Sequence, residues 1–293
     1  MKKKFKLHWL WTILTGLLLF FGAYFASTIG RPAPIPIKQE IHVGVTYHRV
    51  VHYVPHSMIA HVIVIDRNVE DVKFLVTPQD EVEGGVLKAR TTSGFLQEFG
   101  VQIAINGDGF HPWWSHSPVD YYPHTGDPVT PNGFTAAYGN VYADGKHDPR
   151  PEPTLYISRR NELSFNLPPN KIHHAISGDR MLIMGGEIVD DLNDTVIHPR
   201  TAIGISRNGR YVILAVVDGR QPFYSSGATY QELAKLLKSF DAHYAMALDG
   251  GGSSALVIEG EDGGATVLNS PIDSYIPGRE RPVANHLGIQ INW

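Results

Sequence analysis

The stretch Leu248-Asp249-Gly250-Gly251-Gly252-Ser253-Ser254 packs a carboxylate, three glycines and two hydroxyls into seven positions. Three consecutive glycines forfeit backbone entropy that a strand end would not normally give up. They allow backbone N–H groups to come close to a ligand, and a concave run of such groups binds anions. Asn106-Gly107, Arg200-Thr201 and Asp218-Gly219-Arg220 add a second carboxylate, two guanidiniums and further polar groups. Guanidinium forks suit phosphate oxygens, and paired carboxylates suit glycosidic cleavage through an oxocarbenium-like transition state. Each piece also has a plain structural reading. The glycine run could be a flexible turn, Asp218-Gly219 another turn, and Arg200 half of a structural ion pair.

The elements around these residues place all four clusters at strand ends. Thr229 and Glu232 have the spacing of a capping box, and Leu233, Leu236, Leu237 and Phe240 follow at helical spacing. Tyr244 to Leu248 then reads as a buried strand that runs into Asp249. Val101 to Ile105 is a strand leading into Asn106, after a short helix from Thr91 to Phe99 closed by Gly100. Ala202 to Ser206 and Tyr211 to Val217 flank an Asn208-Gly209 turn, the signature of a hairpin. A hairpin brings its open ends together, so Arg200 is expected near Asp218 and Arg220. His61 to Ile65, Val72 to Val76 and Leu155 to Ile157 are further strands. Between His111 and Asn132 lies a segment rich in Pro, Trp, Tyr and His, including Trp113, Trp114, Tyr121 and Tyr122. Its length and aromatics suit a substrate-side loop or an aromatic plug over one end of the core. Its histidines show no HxH or HExxH spacing, so no metal and no cofactor are expected.

At the N-terminus, Lys2, Lys3, Lys4 and Lys6 precede an uncharged, mostly apolar stretch from Leu7 to Ile29. At about 1.5 Å per residue it is long enough to cross a bilayer. Residues 1–30 are therefore expected to be a cytoplasmic basic end and a transmembrane signal anchor, with the remainder extracytoplasmic. Secretion after cleavage of a signal peptide is the competing reading. A Pro-rich linker, 31–40, then leads to a domain over 41–293. Beyond residue 30 the chain keeps 21 basic against 29 acidic residues, which sets nucleic acid aside as a partner. With no cysteine, thiol chemistry is excluded.

Five motifs occur in order: Asn106-Gly107-x-Gly109-Phe110, Arg200-Thr201-Ala202-Ile203-Gly204, Asp218-Gly219-Arg220, Asp249 to Ser254, and Arg281-Pro282-Val283-Ala284-Asn285. The set resembles the phosphodiester glycosidase family, which includes the eukaryotic mannose 6-phosphate uncovering enzyme and bacterial relatives linked to envelope or exopolysaccharide metabolism. The likeness covers roughly residues 60 to 293. It implies an α/β (α+β) fold, one mixed and largely antiparallel sheet domain with few helices. It also implies hydrolysis of a sugar-1-phosphodiester at the C1–O bond of a glycan or sugar-phosphate substrate. On that reading Asp249 is base or nucleophile and Asp218 stabilises the oxocarbenium. Arg200 and Arg220 stabilise the phosphate leaving group. Thr201, Ser253, Ser254 and the glycine nest Gly250, Gly251 and Gly252 hold phosphate or sugar hydroxyls, with N–H groups from Gly251 and Gly252. Asn106 and Asn285 position the substrate. Asp108, inserted in the glycine run, and the aromatic segment after it depart from the pattern and leave the substrate open. Two alternatives keep the same residues: a phosphodiesterase with a divalent metal on Asp218 and Asp249, and a non-catalytic binding or assembly protein for an envelope glycopolymer.

Overall fold

In the computed structural model the described residues are 2–29, 31–68, 72–146 and 152–291; within the N-terminal helix, side chains are described for 8–23 only. An eight-stranded sheet runs in the spatial order 37–42, 45–52, 58–66, 211–217, 200–206, 242–248, 180–184, 187–188. A five-stranded sheet runs 265–267, 256–259, 103–106, 286–290, 73–76, and a second runs 140–144, 134–137, 172–177, 154–158, 163–165. The pairs within both large sheets are antiparallel, including Arg200↔Val217 and Thr201↔Leu248.

Period-two alternation builds the layers. From the strand Tyr211–Val217, Val212, Leu214 and Val216 enter the core between the sheets, together with Ile103, Ile105 and Leu256. Ile213, Ala215 and Val217 face the other way, onto Leu233, Leu236 and Leu237 of the helix Tyr230–Ser239. That helix carries the expected capping box between Thr229 and Glu232. On the far side of the first five-stranded sheet, Ala104 and Val257 meet Phe95 and Leu96 of the helix Thr92–Phe99. Thr91 caps that helix and Gly100 closes it in the left-handed conformation. The result is helix, sheet, sheet, helix, with 172–177 and its neighbours closing the inter-sheet core.

Three expectations change. The basic start and apolar stretch do form a helix, Lys2–Ile29. Yet among the described residues no helix is long and apolar enough to cross a membrane. The expected transmembrane anchor is therefore not supported, and its lysines lie outside the described side chains. The aromatic segment is not an irregular loop either, since Trp114–Ser117 and Asp120–Tyr122 pair as a small hairpin. The last residues of the expected linker also join a strand, Ile37–His42, paired with Val45–His52.

His286 and His174 are buried, and His286 stacks on Phe95 at 4.7 Å. Burial lowers their pKa values to about 3 and about 4. An unfolded histidine titrates near 6.5, so below that pH the unfolded chain binds more protons than the native one. Stability should fall steadily as pH drops from about 6.5 towards 4. Denaturant midpoints measured across this range test it, and a charged His286 imidazole at pH 5 in NMR spectra would contradict it.

Candidate active site

Asn106 ties the ends of three strands together. Its amide donates to the Asp249 carbonyl at 2.8 Å, and its Oδ1 accepts from Thr201 Oγ1 at 2.9 Å and Ala255 N at 3.1 Å. Asp249 N in turn donates to the Gly107 carbonyl at 2.9 Å. Where the two sheets meet at this seam, a cavity of about 410 Å³ opens. Asp108, Glu152, Asp179 and Asp249 bring four carboxylates to it, and Arg200, Arg220 and Arg281 bring three guanidiniums. Gly250, Gly251, Gly252, His198, Tyr230 and Trp113 also line it.

The carboxylates are held in different states. Burial raises the pKa of Asp249, but the Ser253 hydroxyl, the Arg281 charge and the Gly250 N–H all favour its ionised form. Asp108 accepts from Gly109 N at 2.8 Å and Gly133 N at 2.7 Å. Burial first, and then the charge of Glu152, push its pKa well above the usual carboxylate range. Burial and Glu152 thus favour the protonated form of Asp108, whereas Asp249 has more groups that support its ionised form. Asp179 accepts from the Tyr230 hydroxyl at 2.5 Å and from Arg180 Nε at 2.8 Å.

Two of the three guanidiniums, Arg200 and Arg220, are presented without an ion pair among the described residues, and the third, Arg281, is paired. Arg200 lies over the Tyr230 ring, 3.7 Å from its centroid, and donates to the carbonyls of Ala228 and Val196. Burial lowers its pKa. Arg220 sits in the left-handed region, with φ +55°, and its side chain has no hydrogen-bond or ion-pair partner among the described residues. Arg281 lies over Trp113 at 4.8 Å while its Nε donates to Asp273 at 2.7 Å. The pKa of His198 is lowered by burial and by Arg220 and Arg200, and its buried Nδ1 has no hydrogen-bond partner among the described residues.

Of the residues expected from sequence, Asp249, Arg200, Arg220, Gly250, Gly251 and Gly252 line the cavity, whereas Asp218, Asn106, Thr201, Ser253, Ser254 and Asn285 do not. Asp218 is buried, and its carboxylate is taken up by His61 Nε2, the Tyr224 hydroxyl, Asn269 Nδ2 and Ser270 N. With these partners it does not face the cavity, so neither the oxocarbenium role expected of Asp218 nor a metal shared between it and Asp249 is supported. Among the described residues no three His, Asp or Glu side chains stand close enough together to hold a metal ion. Asn285 and Thr201 are scaffold: Asn285 Oδ1 accepts from Asp108 N at 2.8 Å, and Thr201 braces Asn106. Ser253 acts through the Asp249 carboxylate, and the buried Ser254 hydroxyl is unpaired. The nest is smaller than expected, because the Gly251 N–H donates to the Pro199 carbonyl and the Gly250 N–H to Asp249.

A Cβ on Gly252 would fall on the Arg281 guanidinium. That glycine's close approach is therefore to an arginine. Gly252→Ala should displace Arg281 and lower activity roughly 100-fold, the scale of a misplaced binding group, with the thermal midpoint little changed. An unaltered rate would remove Arg281 from the site. Asp108 adds a pH signature. Its raised folded pKa means that its contribution to stability is complete below the unfolded value near 3.9 and is lost as pH rises. Asp108→Asn should therefore be more stable than the parent at neutral pH, with the difference vanishing near pH 4, as unfolding curves at both pH values would show.

The phosphodiester glycosidase family model matches residues 99–290. An uncharacterized SPbeta prophage-derived protein of Bacillus subtilis (strain 168), YomE, is 46% identical over 99 residues, 34% of this chain; the chain thus spans only 13% of that relative's length. Among solved structures, the catalytic domain of zebrafish N-acetylglucosamine-1-phosphodiester alpha-N-acetylglucosaminidase, auto-inhibited by its pro-peptide, is similar at a TM-score of 0.59 and 19% identity, covering 89% of this chain and 85% of that one. A hypothetical protein from Synechocystis is similar at 0.57 and 14% identity, covering 88% and 64%. At these identities the structures speak for the fold alone.

Proposed function

Because the chain belongs to the phosphodiester glycosidase family, we propose that it hydrolyses a sugar-1-phosphodiester at the C1–O bond, releasing free sugar and a phosphomonoester. The observation that carries this reading is one cavity lined both by buried carboxylates and by three arginines, of which Arg200 and Arg220 have no ion pair among the described residues. Arg220, Arg281 and the Gly252 N–H take the phosphodiester anion, and Arg200 adds positive potential from the wall. As the C1–O bond breaks, its electron pair passes to the phosphate, a weakly basic leaving group whose growing charge faces the guanidiniums. Asp249, the better supported carboxylate, attacks C1 or activates the water that does. Asp108, whose protonated form burial and Glu152 favour, is placed to donate to a sugar or leaving-group oxygen. Trp113 offers a half-exposed ring against which a sugar face can pack. Asp218 has no catalytic part; it anchors the loop carrying Arg220.

An envelope or other extracytoplasmic glycoconjugate is the substrate setting this reading favours, supported by the basic start and uncharged stretch of the first thirty residues. Protease accessibility in cells making the full chain tests that setting, and protection in intact cells would overturn it. The reaction itself is tested on a panel of sugar-1-phosphodiesters in oxygen-18 water. Label should appear in the free sugar; label in the phosphate would mean P–O cleavage and overturn the mechanism. Asp249→Asn should lower turnover by roughly 10³-fold with folding intact, and near-parental turnover would remove Asp249 from the chemistry.

A further inference from the structure

Arg220 reaches the cavity from a tight loop, 218–226, closed by its own N–H to the Ser226 carbonyl at 3.1 Å and by Gln221 N to Ser225 O at 3.0 Å. A non-glycine residue at φ +55° holds that conformation only where its surroundings impose it. From the inside, Asp218 does so through the four partners described above. From the outside, the contacts come from a residue far away in sequence. Arg31 donates from one nitrogen to Gln221 Oε1 at 2.9 Å and to Ser270 Oγ at 3.1 Å. Its guanidinium also lies over the Tyr224 ring at 5.1 Å. Tyr224 returns its hydroxyl to Asp218 at 3.1 Å, and Gln221 Nε2 donates to the Ser270 carbonyl at 2.7 Å. The segment carrying Arg31 is itself fixed: Tyr53 donates to the Pro34 carbonyl at 3.2 Å and Arg49 Nε to the Ile35 carbonyl at 2.8 Å.

We propose that Arg31 is a positioning residue for Arg220, and that the segment 31–36 braces the loop that offers this guanidinium to the phosphate. Arg31 lies well outside the family-matched residues 99–290, so the brace comes from a segment beyond that match. The inference rests on the reading of Arg220 as a phosphate ligand, and its test separates the two.

The full chain is compared with R31A, R220A and the double variant. Amide hydrogen exchange at Arg220 and Gln221 should be roughly tenfold faster in R31A, with the Phe95 amide in the helix Thr92–Phe99 unchanged. Affinity for inorganic phosphate, by calorimetry, should fall several-fold in R31A and further in R220A, with the double variant no weaker than R220A alone. Unchanged exchange at 220–221, or losses that simply add, would overturn the brace. Should R220A leave phosphate affinity intact, the phosphate-ligand reading fails while the exchange measurement still decides the brace. If R31A does not fold, R31K is read by the same criteria, since it loses the fork and the ring contact but keeps the charge.

Discussion

The site depends on one amide. Asn106 joins the end of the strand Ile103–Asn106 in one sheet to Thr201 and the Asp249 carbonyl in the other, and to the Ala255 N–H beyond the glycine run. Two face-packed sheets can slide or rotate relative to one another, because their apolar contact is non-directional. A fully buried side-chain amide with three satisfied partners is directional, and leaving any of those partners unpaired would be costly. It therefore fixes the offset between the sheets where Asp108 and Asp249, which belong to different sheets, must face one cavity. The Gly107 carbonyl, accepting from Asp249 N, repeats the seam one residue on.

That seam lets charges be buried together at a cost the fold must carry. Asp108 and Asp249 have carboxyls whose pKa burial raises, and Arg200 and Arg220 have guanidiniums whose pKa burial lowers. A chain selected only for stability would pair such groups directly, as Arg90 is paired with Asp80 and Glu98. In the cavity the pairing is instead partial. Arg200 is satisfied by carbonyls and a ring, and Arg220 has no hydrogen bond or ion pair among the described residues, with Asp249 acting on it only through its charge. Groups held in this way keep electrostatic capacity for a ligand.

Much of the scaffold was legible locally. The capping box at Thr229 and Glu232, the Asn208-Gly209 hairpin and the glycine stop at Gly100 each act within a few residues, and all three form. The direction of the site side chains was legible too, through alternation carried one residue past each strand. Val216 and Leu214 face the inter-sheet core, so Asp218 shares their face and meets His61 there, whose other ring nitrogen is held by Tyr47. Arg200 shares a face with Ala202 and so reaches Tyr230 at the start of the helix, while Thr201, with Ile203, turns inward to Asn106. Reading positions without faces therefore assigned Asp218 to the chemistry. Glu152, Asp179 and His198 carried no local signal, because single polar residues at strand edges reach the cavity only through pairings far apart in sequence. Asp108 stood out only as an interruption of a glycine run, although an ionisable residue where glycines allow close packing was itself the cue.

The glycines also take on a different meaning in the fold. A Cβ at Gly107 would collide with Asn285, and one at Gly252 with Arg281. Both positions make room for side chains of the protein, and those side chains in turn serve the cavity: Asn285 by holding the Asp108 backbone, Arg281 by standing over Trp113. The Arg281 approach is fixed from the other side by Asp273, which also contacts Arg279, whose guanidinium lies over Tyr121. The aromatic segment and the glycine run are thus two walls joined by arginines. A ring face and a cationic edge then meet at the same mouth, the combination that a sugar attached to a phosphate requires.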